Sequence, residues 1–247
     1  MADVLLRLER VSKRYHRPHE VRVALDGVSL ELTRGELVGV FGPSAAGKTT
    51  LLRIAAGLLA ADAGAVLYDG ERLDRMASSQ RARLRRREIA CVRSDRRWDA
   101  CLGVLDHVML PLLADGLSHR TAERRAREAL LACEAKQCVG MELGELSDGE
   151  RQRVEIARAL VIEPRLLLAD GPTADLSLIE QETIMALLAA LAHRAGAAVL
   201  VTARDAAALL GADAILYLRD GELVAPAREA ARVVQFPSGG SRRAADA

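Results

Sequence analysis

The chain has 247 residues, 50% of them apolar and 28% charged. That is enough to bury a sizeable core, and it excludes a disordered chain, a collagen-like repeat and a disulfide scaffold. The 35 basic residues (three of them lysines: Lys13, Lys48 and Lys136) against 34 acidic ones leave a formal charge of +1, which with 2% aromatics argues against nucleic-acid binding.

Acids and bases interrupt the apolar residues at the N-terminus, unlike a signal peptide. Residues 4–8 and 21–32 read as strands of a small β layer, with Asp26-Gly27 as a turn signal. The apolar run 36–41 is a buried-strand candidate that opens into the Gly-rich segment 42–50 and then a helical pattern. Residues 65–68 make another strand, ended by Asp69-Gly70; about 75–88 is a basic helix, and 104–162 is predominantly helical. Glu163-Pro164 breaks that region before a second buried strand at 165–170, a helix at 183–195, and strands at 197–202 and 214–218. Such alternation predicts a mostly parallel sheet. No uncharged apolar run approaches the ~18 residues that span a bilayer, and Cys91, Cys101, Cys133 and Cys138 show no zinc spacing and read as reduced thiols. The expectation is a cytoplasmic protein that reaches a membrane only through a partner.

Gly42, Pro43, Ser44, Ala45, Ala46, Gly47, Lys48, Thr49 and Thr50 hold a strand–loop–helix phosphate-binding pattern. Glycines let successive backbone amides turn inward around phosphate oxygens, and the following helix aims its positive end at them. Lys48 suits the β- and γ-phosphates, and the Thr49 hydroxyl suits Mg²⁺. The loop alone does not choose among kinases, GTPases and transport ATPases.

A second set of motifs does. Ser147, Asp148, Gly149 and Glu150, followed by a helical RQRVEIARAL, and the strand ending at Asp170 resemble the signature and magnesium-binding motifs of the ATP-binding-cassette (ABC) family. Tyr15, set before the first strand pair, matches the aromatic on which adenine stacks in that family. The resemblance spans about residues 4–225, and RLRRREIACV and LDHVMLPLL look closest to the macrolide-export and lipoprotein-release type. It implies an α/β fold: a P-loop NTPase (RecA-like) core with a mostly parallel sheet, an antiparallel β subdomain and an inserted α-helical subdomain. The implied ATP-binding domain is 1–225, with the helical subdomain at about 90–162 and a flexible tail at 226–247. ATP and Mg²⁺ are the implied cofactors, Thr49 and Asp170 the metal residues. The implied partners are a second cassette, whose ATP is sandwiched against this signature, and integral membrane permease subunits that hold the chain on the cytoplasmic face of the plasma membrane.

The departures from the family pattern are chemical. Gly171 stands at the glutamate that handles the attacking water, Ala203 at the switch histidine, Ser94 at the glutamine that ties magnesium to the helical subdomain, and Ser177 at the dimer-contact aspartate. Losing a positioned general base costs ~10²–10⁴ in rate, whereas the loop, Lys48, Thr49 and Asp170 still supply binding. The expectation is a subunit that binds MgATP, cuts it poorly, and pairs with a different, catalytically complete cassette. Asp175 or Asp205 could rescue the chemistry; the competing reading has Asp175 capping a helix near Ser177. Asp148 replaces a signature glycine, and its orientation decides its cost. The alternative to a transport subunit is a pseudo-ATPase regulator that uses nucleotide to gate assembly.

The run Arg81, Arg83, Arg85, Arg86, Arg87, Arg93, Arg96 and Arg97 is either a solvated helix face or a docking surface for a membrane subunit. Trp98 beside it is an interface anchor or an ordinary partly buried residue. His16, His19, His107, His119 and His193 form no ligand spacing.

Overall fold

Leu6 and Leu8 alternate with Arg7 and Glu9, a period-two pattern that builds the first of two sheets in the computed structural model, which describes residues 3–17, 20–93 and 100–224. Strands β1 (Val4–Arg17) and β2 (Glu20–Thr33) pair antiparallel; β3 (Leu37–Phe41) leaves them for the second sheet, and β4 (Ala63–Tyr68) and β5 (Glu71–Arg72) return to the first. Its order is β2-β1-β4-β5.

The second sheet adds β6 (Ile89–Arg93), β7 (Leu166–Asp170), β8 (Ala198–Ala203), β9 (Ala214–Arg219) and β10 (Glu222–Val224) in the order β10-β9-β3-β8-β7-β6. All its pairs are parallel except β9 with β10. Every residue of β8 is buried, as expected for a strand covered on both faces. Parallel strands put their carboxyl ends on one edge, where ligands of open α/β sheets sit. Here the register sets Phe41 beside Ala203 and Asp170 beside Thr202 on that edge.

Helix α1 (Lys48–Ala55) lies between the two sheets and buries Thr50, Leu51, Leu52, Ile54 and Ala55. Helix α2 (Ser78–Arg87) buries nothing. Between β6 and β7 come α3 (Val104–Ala114), α4 (His119–Ala132) and α5 (Asp148–Leu160), packed on one another through Val108, Met109, Ala126, Leu130 and Ile156. A buried His107–Glu155 pair at 3.1 Å joins α3 to α5. Helix α6 (Leu178–Ala195) covers the sheet and ends at Gly196 in the left-handed conformation. Among the described residues no helix is long and apolar enough to cross a membrane.

The α/β core with its antiparallel sheet and inserted helices matches the expected fold class; four local expectations change. Asp26-Gly27 is a bulge inside β2, not a turn: pairing steps from Val11–Val28 to Lys13–Leu25, and Gly27 (φ 61°) donates its amide to Ser12 Oγ at 2.9 Å. Tyr15 consequently sits within β1 rather than ahead of the strand pair. The run Ile89–Arg93 is a core-sheet strand, so the helical block begins after it. Helix α6 starts at Leu178, five residues before the run 183–195 and at the start near Ser177 that the Asp175 reading supposed; Ser177 itself caps it: its Oγ accepts from Glu180 N and donates to Glu180 Oε2 at 2.7 Å. Asp175 is therefore not the cap; it holds a left-handed backbone with φ 63°. Ser94, Arg96, Arg97, Trp98, His19 and residues 226–247 lie outside the described residues.

Candidate functional site

Residues 42–50 leave the carboxyl end of β3 and turn into α1. Gly47 has φ 108°, and a Cβ there would come within 2.1 Å of Ala24 O, so both backbone angle and space demand glycine. A Cβ on Gly42 would meet Leu218 O at the same distance. The first intrahelical bond is Leu51 N to Gly47 O, at 2.8 Å, leaving the Lys48, Thr49 and Thr50 amides ahead of it to bind anions. Pro43 O accepts from Ala46 N at 3.2 Å, and Ala45 takes φ 70°, which together curl the loop. Ser44 and Ala45 line the cavity on its far side.

Lys48 Nζ crosses this loop, donating to Gly42 O at 2.6 Å and Pro43 O at 2.8 Å. Burial lowers its pKa from the ordinary lysine value; the Asp170 carboxylate opposes that shift and the Arg204 guanidinium adds to it. Thr49 Oγ1 donates to Asp170 Oδ2 at 2.7 Å across 121 residues of sequence. Thr202, fully buried on the neighbouring strand, donates to the other oxygen, Asp170 Oδ1, at 2.9 Å and accepts from Gly171 N at 3.2 Å. The Asp170 carboxylate is thus held by two hydroxyls, one from each side. A hydroxyl and a carboxylate at the helix start form a donor set suited to a hydrated Mg²⁺, and the amides with Lys48 suit a polyphosphate. The residues present fit MgATP.

Two cavities flank the loop and share Ala45, Lys48 and Thr49. One, of about 350 Å³, is lined by Tyr15, Arg22, Gly47 and Arg53; Tyr15 Oη lies 3.3 Å from Thr50 Oγ1, and Arg22 Nη2 donates to Ala45 O at 2.5 Å. The other, of about 410 Å³, holds Asp170, Gly171, Asp175, Ala203, Arg204 and Asp205. The structure therefore gathers the phosphate loop, Asp170 and the Gly171 and Ala203 positions at one strand edge. A larger groove, about 930 Å³, lies on the antiparallel sheet between Arg7, Glu9 and Arg72; it contains no residue of the loop and no amide-lined helix end.

The two rescue carboxylates, Asp175 and Asp205, both line the cavity of about 410 Å³. Asp205 Oδ1 accepts from Ala208 N at 2.9 Å, within the 3-10 turn Ala207–Leu209. The candidate signature residues 147–150 line neither of the two cavities that flank the loop. Ser147 caps α5 through a box with Glu150: its Oγ donates to Glu150 Oε2 at 2.8 Å and accepts from Glu150 N at 3.3 Å. Donation from the Ser147 hydroxyl, and then from its amide, holds the Glu150 carboxyl below its ordinary range. Gly149 is buried, and a Cβ there would come 2.1 Å from Glu180 Oε1, so the start of α5 nests on the start of α6. Asp148 points into solvent and accepts from Arg151 Nη1 at 3.1 Å.

Within the basic run, Arg81 and Arg85 donate to backbone carbonyls (Leu73, Met76 and Gly57) and Arg87 pairs with Asp115. Those three arginines are therefore not an uncommitted charged face. Sequence reasoning missed Thr202, Arg22 and Arg204 as site residues. A threonine closing an otherwise apolar strand was a legible signal for the first; the two arginines converge only through tertiary structure.

The model of the ABC transporter family matches residues 25–174. The lipoprotein-releasing system ATP-binding protein LolD of Ruegeria sp. (strain TM1040) is 37% identical over 226 residues, covering 91% of this chain and 99% of the relative. LolD of Chromohalobacter salexigens is 38% identical over 228 residues, covering 90% and 93%. Among solved structures, the dimeric bacterial ABC transporter cassette MJ0796 superposes with a TM-score of 0.82 at 33% identity, covering 89% of this chain and 96% of that one. The same cassette has been seen as a dimer in a post-hydrolysis state bound to ADP and Pi, with the same TM-score of 0.82. On these matches the chain belongs to the ATP-binding subunits of the ABC transporter family, whose cofactors are ATP and Mg²⁺.

Proposed function

We propose that this subunit grips MgATP at its own loop, hydrolyses it slowly, and works as one half of an unequal pair with a catalytically complete cassette and integral membrane permease chains. Gly42 to Thr50 and Asp170 hold the phosphates and metal, with Tyr15 at the base. Asp170 and Lys48 are held in place by the hydrogen bonds above, while Gly171 and Ala203 bring no group to the same cavity that can take a proton from water. That contrast carries the reading. A general base must stand within hydrogen-bond reach of the water it activates, and of the two nearby carboxylates Asp205 has one oxygen, Oδ1, turned to the Ala208 amide.

Ser147 and Gly149 serve the partner's nucleotide. The Asp148 side chain is exposed and paired with Arg151, which supports a usable signature. Two copies of this chain would make two impaired sites, and so a different cassette is the better partner. Domain 1–225 forms the working cassette in this reading, held on the cytoplasmic face of the membrane by the permease chains. The names of the relatives make lipoprotein release the first cargo to test. Purification of the tagged chain from detergent-solubilised membranes tests the pairing: a polytopic membrane protein and a second cassette carrying the full glutamate and histidine set are expected. Recovery of a soluble homodimer with brisk ATPase activity would overturn the proposal.

A further inference from the structure

Arg204 follows directly on the carboxyl end of β8, one residue past the buried methyl of Ala203. It is exposed and lines the cavity of about 410 Å³ that also contains Lys48 and Asp170. Among the described residues no hydrogen bond or ion pair holds its guanidinium. Its neighbour Asp205 makes no ion pair with it; that carboxylate turns its Oδ1 to Ala208 N at 2.9 Å. Lys48 and Arg204 face this cavity together with Asp170, Asp175 and Asp205, and among the described residues none of the three carboxylates forms an ion pair with either cation. Two cations without an ion-pair partner in one cavity suit a polyanion seated between them.

Direction along the site follows from the two cavities. Both share Lys48 and Thr49, but Tyr15 lines one and Arg204 the other. A nucleotide with its base at Tyr15 runs its phosphates past the loop and ends in the Arg204 cavity. Arginine presents a planar fork that matches phosphate oxygens two at a time and stays charged at every physiological pH.

We propose that Arg204 is a second phosphate-binding cation of this site, one that takes the terminal phosphate of a nucleoside triphosphate and makes the site retain ATP in preference to ADP. The inference rests on the reading of residues 42–50 as an MgATP site. It adds that the subunit is built to keep the uncleaved nucleotide, a use for a site without a general base.

Equilibrium titration of the full chain with ATP and with ADP, each in excess Mg²⁺, tests it on wild type, Arg204→Ala, Arg204→Lys and Lys48→Ala. Arg204→Ala should weaken ATP by about tenfold or more, as expected for a lost charge-assisted contact, and ADP by less than about twofold. Arg204→Lys, which keeps the charge without the fork, should fall between. Equal losses for ATP and ADP, or none for either, would overturn the assignment to Arg204 while leaving the MgATP site standing. Wild type that binds neither nucleotide, or Lys48→Ala that binds both as wild type does, would overturn the site reading and the Arg204 inference with it. Arg204 is exposed, so its variants should melt like wild type without nucleotide; if Arg204→Ala does not, the ATP-to-ADP ratio of Arg204→Lys against wild type decides.

Discussion

On the proposed reading of a site slowed by its missing base, Gly171→Glu should raise hydrolysis, and the structure sets the scale of both gain and cost. Gly171 follows Asp170 at the strand end, has φ 60°, and donates its amide to Thr202 Oγ1 at 3.2 Å. A side chain at that angle costs about 1–2 kcal/mol, a strain this chain already bears with glutamates at Glu134 (φ 55°) and Glu163 (φ 53°). Against it stands a general base worth ~10²–10⁴ in rate, about 3–5 kcal/mol of barrier. The gain therefore exceeds the strain, and the strain falls on stability rather than on the chemical step. Ala203→His added to Gly171→Glu should raise turnover beyond the single variant, and not additively, since groups that act on one transition state work as a unit. Steady-state phosphate release at saturating MgATP measures the rate; nucleotide titration and melting confirm that the variant binds and folds. A folded Gly171→Glu chain that binds MgATP like wild type, yet gains less than about tenfold with and without Ala203→His, would refute the reasoning from the missing base.

Three further outcomes follow from the same geometry. At a hundredfold excess of MgATP over its Kd, binding should add ~2.7 kcal/mol of stability and raise Tm by roughly 5–10 °C in a domain of this size; Lys48→Ala should abolish that rise in a thermal melt. Thr202→Val removes a hydroxyl that donates to Asp170 and accepts from Gly171 N; with a hydrogen bond to a charged group worth about 1.5–3 kcal/mol, the Mg²⁺ needed for half-maximal nucleotide binding should rise about tenfold or more. The Glu150 carboxyl sits below its ordinary value of 4.5 because Ser147 donates to it. Its contribution is complete above pH 4.5 and fades as pH falls through the folded-state value, so acid titration of stability should flatten in that window for Glu150→Gln.

The turn between β3 and α1, the strand ending at Asp170 and the helix after Ser147 could be read from sequence because each is a contiguous segment whose local spacing carries its geometry. What could not be read depends on pairing between distant strands. The contact of Asp170 with Thr202 arises from the β7–β8 register, which no local pattern encodes. Asp26-Gly27 has the composition of a turn, and only the register of β1 against β2 makes it a bulge. The strand Ile89–Arg93 was hidden because its apolar run is short and follows directly on a basic helix. One misassignment was avoidable, the cap given to Asp175: Ser177 and Glu180 have the spacing of a capping box, a start signal that outranks the apolar periodicity beginning at Thr183. Asp148 needed the structure, since sequence cannot say which way the first side chain of a helix points.

The most direct test follows the fate of bound nucleotide. The purified chain is loaded with radiolabelled MgATP, separated from free nucleotide, and its bound label resolved into ATP and ADP over time. Retention of intact ATP, lost in Lys48→Ala, is what the account predicts. A pocket that loads nothing, or that holds only ADP within a few catalytic seconds with no second cassette present, would contradict it.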